Sequence, residues 1–280
     1  MLQLLAQQQG PGQFTQTVDA IARTPISTIV LVCLVLTAIR FGCFFVLARR
    51  KPHISNGLTK TCNVVNEILD SLIYAAIVVF LLIRPFVIQT FTIPTGSMLQ
   101  TLQLNDYIIA NKAIYRYTEP RQGDIIVFKP PERALYDFQR GQDIDFVKRL
   151  IALPGQVVEI RGGSLFIDGQ RVEEPYLSTP NEFDFKLVEV DGEFWPVQYN
   201  AAFINPPKLV ADEYVASTQE MQERLRNAPP AAIPDGYFLA MGDNRTGSFD
   251  GRGWGLAPLD AVIGRSEVIF WPPRNWTMTR

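Results

Sequence analysis

The only histidine, His53, and all three cysteines, Cys33, Cys43 and Cys62, fall in the first 62 residues of a 280-residue chain. For the rest of the chain this excludes a thiolate zinc site and a disulfide framework. A hydrolase built there has three options: a serine or threonine activated by a base other than histidine, paired carboxylates, or a metal held mainly by carboxylates. For a serine, lysine is the natural base.

Three segments offer such chemistry. In Phe91-Thr92-Ile93-Pro94-Thr95-Gly96-Ser97-Met98 the glycine permits a tight backbone turn that exposes a hydroxyl, which makes Ser97 the candidate nucleophile. Most Gly-Ser pairs are ordinary turns, so Ser97 needs a partner. In Ile144-Asp145-Phe146-Val147-Lys148-Arg149-Leu150, alternation at period two puts Lys148 on one strand face with Ile144, Phe146 and Leu150. Desolvation there disfavours the charged amine and moves its pKa from about 10.4 toward the ~7–8 that suits a general base. The competing reading is a strand lysine whose stem packs while its amine reaches water. The third segment, Gly242 to Arg252, is a loop dense in turn formers that could be a mere connection. Alternatively Ser248 holds the neutral amine of Lys148 in place, and Asp250 and Arg252 form an ion pair that stiffens the loop.

Two apolar blocks precede these segments. Ile26 to Leu47 is long enough to cross a bilayer, where about 20 residues suffice, although Arg40 interrupts it. The second block, Ile68 to Ile83 with flanks to Ile88, carries Asp70 near its start and Arg84-Pro85 near its end. Arg49, Arg50, Lys51 and Lys60 between the blocks outnumber the lone Arg23 before them, so the connection is expected in the cytoplasm and both ends outside. The expected organisation is a short outward segment 1–25, a transmembrane helix 26–48, a cytoplasmic connection 49–66, a second transmembrane helix 67–88, and an extracytoplasmic domain 89–280. The protein is then a multi-pass protein of the cell (inner) membrane.

After residue 90 short apolar runs alternate with turn residues: Tyr107 to Ala110, Asp124 to Phe128, Asp143 to Leu153, Gln156 to Ile160, Ser164 to Ile167 and Tyr237 to Met241. The fold class expected is mainly β, with antiparallel sheets. Asp168-Gly169 between Leu165-Phe166-Ile167 and Gln170-Arg171-Val172 predicts a type I′ hairpin. Between about Leu177 and Pro234 the pattern becomes irregular, with Tyr214, Thr218, Met221 and Leu225 at helical spacing; an inserted cap subdomain is expected over 156–236, shielding the edge of the β core. With 26 basic against 28 acidic residues and no basic stripe interleaved with aromatics, nucleic acid is not an expected partner.

In this order the three segments resemble the type I signal peptidases, or leader peptidases, of the bacterial Ser/Lys kind. Pro94-Thr95-Gly96-Ser97-Met98 resembles the nucleophile box and Lys148-Arg149-Leu150-Ile151-Ala152-Leu153-Pro154-Gly155 the lysine box. Gly242-Asp243-Asn244-Arg245 with Ser248, Asp250 and Arg252 resembles the third box, and Asp124 to Phe128 a family strand. The resemblance implies a membrane-bound serine endopeptidase that cleaves signal peptides of exported preproteins after small residues (A-x-A) through an acyl-enzyme. Ser97 is then the nucleophile, Lys148 the base and Ser248 the residue that orients it. Thr95, where the family often has serine, adds its hydroxyl to the Ser97 N–H in an oxyanion hole. Ile93, Pro94, Met98, Phe146 and Val147 match positions lining shallow apolar substrate pockets. No metal and no organic cofactor is implied, and the partners are signal peptides and the bilayer. Two readings compete: a Ser/Lys protease of the self-cleaving repressor type, opposed by the two spans, and a membrane-tethered β module that binds exported proteins without catalysis.

Overall fold

The computed structural model describes residues 25–48, 57–83, 86–199 and 218–279. Residues 1–24, the Arg49-Arg50-Lys51 cluster with His53, Arg84-Pro85 and Tyr214 lie outside the described residues. Chain contacts divide the protein into two compact units, Met1–Ile88 and Gln89–Arg280.

The first unit holds helix α1 (Ile26–Ala48) and helix α2 (Gly57–Ala76), which runs on as a π-helical segment Ile77–Ile83. Helix α2 begins about ten residues before the apolar block that predicted it. Leu58, Cys62, Val65, Leu69 and Leu72 already recur at three- and four-residue spacing, so a polar-looking stretch carries a helical stripe. Two windows, Ser27–Phe45 and Asn63–Phe80, are long and apolar enough to cross a membrane, and only 6% of either is buried. Leu31, Leu34, Phe41, Phe44 and Leu72 are all exposed, a surface that suits hydrocarbon as its solvent. The charge that interrupts the first apolar run finds the charge that interrupts the second: Arg40 Nε lies 2.9 Å from Asp70 Oδ1.

The second unit is built of antiparallel sheets. Strands β1 (Ile88–Thr92), β2 (Tyr107–Asn111), β3 (Ile125–Phe128), β4 (Phe146–Ala152), β10 (Tyr237–Met241), β11 (Ala257–Pro258), β12 (Val262–Trp271) and β13 (Thr277–Met278) form the larger, eight-stranded sheet. Its order is β1-β2-β12-β3-β4-β10-β11, with β13 also on β12. The long strand β12 therefore sits between β2 and β3 and joins the side of the sheet that leads into Ser97 to the side that carries Lys148. The second sheet has the order β7-β6-β5-β8-β9, from β5 (Val158–Arg161), β6 (Ser164–Ile167), β7 (Gln170–Val172), β8 (Asp184–Val190) and β9 (Glu193–Tyr199).

Local chemistry explains its turns. Asp168 and Gly169 both have positive φ, 51° and 76°, as a type I′ turn requires. Asp191-Gly192, at 57° and 79°, closes a second such hairpin between β8 and β9. Helix α3 (Gln219–Asn227) starts where the Thr218 side chain accepts the Met221 N–H at 3.3 Å, and buries Met221 and Leu225 against β8 and β9.

The two sheets share one hydrophobic core. Ile151, Ala152, Leu239 and Met241 of the larger sheet pack with Val158, Ile160, Leu165, Ile167, Phe185 and Leu187 of the smaller. A second cluster, with Ile93, Met98, Leu102, Ile108, Ala110, Ile125, Val127 and Ile269, lies under the Ser97 turn. A third, with Ile126, Phe128, Leu150, Phe238, Ala240 and Trp254, lies under β4 and is packed by Phe146. The residues flanking the candidate nucleophile and base are thus anchored in fully packed core, which limits their motion.

Candidate active site

Ser97 sits in a 3₁₀ turn, Gly96–Met98, entered through Thr95 in extended conformation. The turn is held from above and below. Met98, 1% exposed, drives into the core, and Asn244 of the third segment donates from its backbone N–H to Ser97 O at 3.1 Å and from Nδ2 to Gly96 O at 2.9 Å. The chain is therefore fixed on both sides of the Ser97 hydroxyl.

Lys148 comes from the middle of β4, opposite Ile126 of β3. It is 5% exposed, and its Nζ donates to Ser97 Oγ at 2.7 Å and to Val147 O at 3.1 Å. The Phe146 ring lies 5.3 Å from Nζ. Burial pushes the Lys148 amine down from 10.5 to about 8; Asp250 and Asp243 pull it up in part, while Arg252 pushes it further down. The face that alternation assigned to Lys148 is thus an apolar one. The amine turns inward to the serine rather than out to water.

The third segment supplies the floor. Asp250 is 1% exposed and opens the short helix α4 (Gly251–Trp254). Its Oδ1 accepts Arg252 Nε and its Oδ2 accepts Arg252 Nη2, both at 2.8 Å, while Oδ2 also accepts the Gly242 N–H at 2.9 Å. Burial opposes its ionisation, but the guanidinium and these N–H groups outweigh burial and hold the carboxyl below the usual carboxylate range. Ser248 differs from its expected arrangement. Its Oγ is buried, lies close enough to the Asp250 carboxylate to favour the ionised form, and makes no bond to Lys148, whose donors go to Ser97 and Val147. It faces Gly242 instead, where an added Cβ would overlap both Ser248 Oγ and Ser97 O.

That close approach makes a prediction. Gly242→Ala should lower kcat by about ten- to a hundred-fold by pushing the Ser97 carbonyl away, with a folded protein destabilised by about 1–3 kcal/mol. Steady-state kinetics and a thermal melt check it; unchanged kcat would show that the turn tolerates the displacement.

Thr95 is exposed, with Oγ1 3.4 Å from Ser97 Oγ. Of the expected pocket residues, Pro94 is exposed and Phe146 and Val147 are half-buried, whereas Ile93 and Met98, at 3% and 1% exposure, belong to the core beneath the turn. Sequence reasoning assigned no role to Arg149, Asp243, Asn244 or Arg245, which the structure brings to the same place. Arg149 pairs bidentately with Asp243, Nε to Oδ1 at 2.8 Å and Nη2 to Oδ2 at 2.7 Å, and Asp243 Oδ2 also accepts Thr101 Oγ1 at 2.5 Å. The available signal was charge: Arg149 directly follows the lysine in a strand otherwise apolar, and needs a buried partner.

A nucleophilic hydroxyl bonded to a desolvated amine, with a second hydroxyl beside it and a stiff buried ion pair behind, can perform acyl transfer. Comparison with known proteins identifies the family. A family model described as signal peptidase, peptidase S26, matches residues 65–271. Signal peptidase I of Leptolyngbya laminosa is 35% identical over 197 residues, covering 70% of this chain and 75% of that protein. Probable signal peptidase I-1 of Synechocystis sp. is 33% identical over 206 residues, covering 73% and 82%. Signal peptidase I of Aquifex aeolicus is 32% identical over 227 residues, covering 74% and 85%. The family match takes in the second apolar helix from residue 65 onward, the Ser97 turn, the Lys148 strand and the Gly242–Arg252 loop together, and on it the chain belongs to the signal peptidase family, peptidase S26, and is a serine peptidase.

Proposed function

We propose that this membrane-associated peptidase cleaves signal peptides from exported preproteins after small residues, A-x-A, with Ser97 as nucleophile and Lys148 as general base. The observation that carries this reading is the buried 2.7 Å contact between Lys148 Nζ and Ser97 Oγ. Neutral Lys148 takes the Ser97 proton as Oγ attacks the scissile carbonyl, and the resulting tetrahedral oxyanion is met by the Ser97 N–H and the Thr95 hydroxyl. Collapse expels the amine of the mature protein, which takes the proton from Lys148, and leaves an acyl ester on Ser97 and Lys148 neutral again. Lys148 then deprotonates a water that hydrolyses the ester and regenerates the hydroxyl. Small-residue preference follows from shallow apolar surface at Pro94, Phe146 and Val147 over a floor of Ile93 and Met98, where a large side chain meets packed core. Helices α1 and α2 act as the two spans, and the domain from residue 89 onward works on the extracytoplasmic side, where exported chains emerge.

The reading is tested by incubating the detergent-solubilised protein with a preprotein that carries an A-x-A site and locating the cut by mass spectrometry. A cut after A-x-A, lost in Ser97→Ala, is the expected result. Cleavage by Ser97→Ala at the wild-type rate would remove Ser97 from the role, and cleavage elsewhere would remove the specificity.

A further inference from the structure

Three guanidinium groups, two in the third segment and one beside Lys148, are each covered by residues of the connection between β7 and β8 of the second sheet. Arg149, next to Lys148, lies under the Tyr176 ring at 3.9 Å. Arg252, partner of Asp250, lies 4.8 Å from the Phe183 ring, and its backbone carbonyl accepts Gln198 Nε2 at 3.3 Å. Arg245 is held most completely. Its Nη1 donates to Asn181 Oδ1 at 2.6 Å, its Nη2 pairs with Glu174 Oε1, and its Nε returns to Gly242 O at 3.1 Å. The Arg245 and Glu174 side chains are 3% and 6% exposed. Glu174 is itself fixed, accepting Tyr176 OH at 2.8 Å and Asn181 Nδ2 at 3.1 Å. Glu174, Tyr176, Asn181 and Phe183 all belong to the connection between β7 and β8.

From Arg245 the contacts run directly to the nucleophile. Arg245 clamps the Gly242 carbonyl, and Asn244, between the two, bonds the carbonyls of Gly96 and Ser97. A buried guanidinium whose three nitrogens each have their own acceptor is fixed in direction as well as distance, so the loop has little freedom while Glu174 and Asn181 hold it.

We propose that Glu174 is a positioning residue for catalysis: through Arg245 and Asn244 it holds the Ser97 turn in register with Lys148, and the connection between β7 and β8 thereby supports the catalytic apparatus. The proposal rests on Ser97 and Lys148 being the reacting pair. A displacement of about 1 Å at the nucleophile can cost roughly a hundred-fold in rate, so losing the clamp should lower kcat more than it raises KM.

The test is a kinetic cycle on the full-length, detergent-solubilised protein with an A-x-A preprotein, assayed well below the melting temperature of each variant. Glu174→Gln is expected to lower kcat about ten- to a hundred-fold with KM within about twofold. In an Arg245→Gln background the same change should add less than about twofold, because the route is already broken. Asn181→Asp combined with Glu174→Gln returns a carboxylate to the same guanidinium from its other side, and should restore kcat to within about threefold of wild type. If Glu174→Gln does not fold, Glu174→Asp keeps the charge on a shorter arm and must show the same loss in kcat at constant KM. Unchanged kcat in the folded variant, equal losses in both backgrounds, or a rise in KM alone would each overturn the proposal. Lys148→Ala assayed alongside separates the two levels: if it cleaves like wild type the Ser/Lys reading fails, whereas its loss with an intact Glu174 variant defeats the positioning role alone.

Discussion

Replacing Lys148 with methionine is expected to abolish cleavage while making the folded protein more stable at neutral pH. The amine is buried with no carboxylate in hydrogen-bond contact, and burial has pushed it from 10.5 to about 8. That shift corresponds to roughly 3 kcal/mol of preference for the neutral form. Below pH 8 the lysine is charged in both folded and unfolded chains, so the whole cost of burying the charge bears on the fold. Between pH 8 and 10.5 the unfolded chain still holds the proton that the folded chain has released, and stability therefore rises with pH across that window. Methionine fills a similar volume without the charge. A melting-temperature gain equivalent to about 1–3 kcal/mol at pH 7, shrinking as pH rises from 8 to 10.5, is expected. Activity moves the other way, falling at least about 10³-fold, as loss of a general base does. In the wild type kcat/KM should climb with pH through an ionisation near 8 as Lys148 becomes neutral. A variant that lost stability at pH 7, or a wild-type rate flat from pH 6 to 9, would contradict a desolvated lysine base.

Asp250→Ala should be among the most destabilising changes to the domain, by about 3–5 kcal/mol, because it strands the Arg252 guanidinium in a buried site. Both carboxylate oxygens are engaged, by Arg252 Nε and Nη2 and by the Gly242 N–H, and Asp250 also caps helix α4 by accepting the Arg252 N–H at 3.2 Å. Arg252→Met in the same chain removes the orphaned charge, and the double variant Asp250→Ala/Arg252→Met should recover a large part of the lost stability in a thermal or denaturant melt. The paired carboxyl is held low, so its contribution is complete above the unfolded carboxylate value of about 3.9 and is lost only as pH falls through its lower folded value. A single variant within about 1 kcal/mol of wild type would mean that Arg252 is neutralised by something other than Asp250.

Several features of this protein were legible without coordinates because they depend on neighbours in sequence. Alternation in Ile144 to Leu150 put Lys148 on an apolar face, and the structure buries it with its amine beside the Phe146 ring. Asp168-Gly169 specified a hairpin because both positions must take positive φ, and both do. The same signal stood at Asp191-Gly192, yet β8 and β9 went unrecognised: Lys186 within β8 and the Pro, Asn and acidic residues around the pair mask a strand pattern whose inward face is apolar. The early start of α2 was missed for a similar reason, since an amphipathic stripe is fainter than a continuous apolar run.

Neighbours along the chain set the inventory and its local geometry: one histidine and three cysteines confined before residue 63, a serine on a glycine turn, a lysine on an apolar strand face, a loop carrying Asp250 and Arg252, and two apolar helices. Tertiary structure alone decided the distances. Ser97 and Lys148 are 51 positions apart and meet at 2.7 Å only because β4 lies beside β3 in the sheet that β12 ties to the nucleophile side. It decided also that Ser248 packs on Gly242 without a hydrogen bond to Lys148, and that Arg149 and Arg245 find Asp243 and Glu174 across 94 and 71 positions. Such long-range pairings leave no periodicity in the chain. They follow from the requirement that each buried charge be matched where the folded sheets bring it, a condition satisfied only when the whole core has closed.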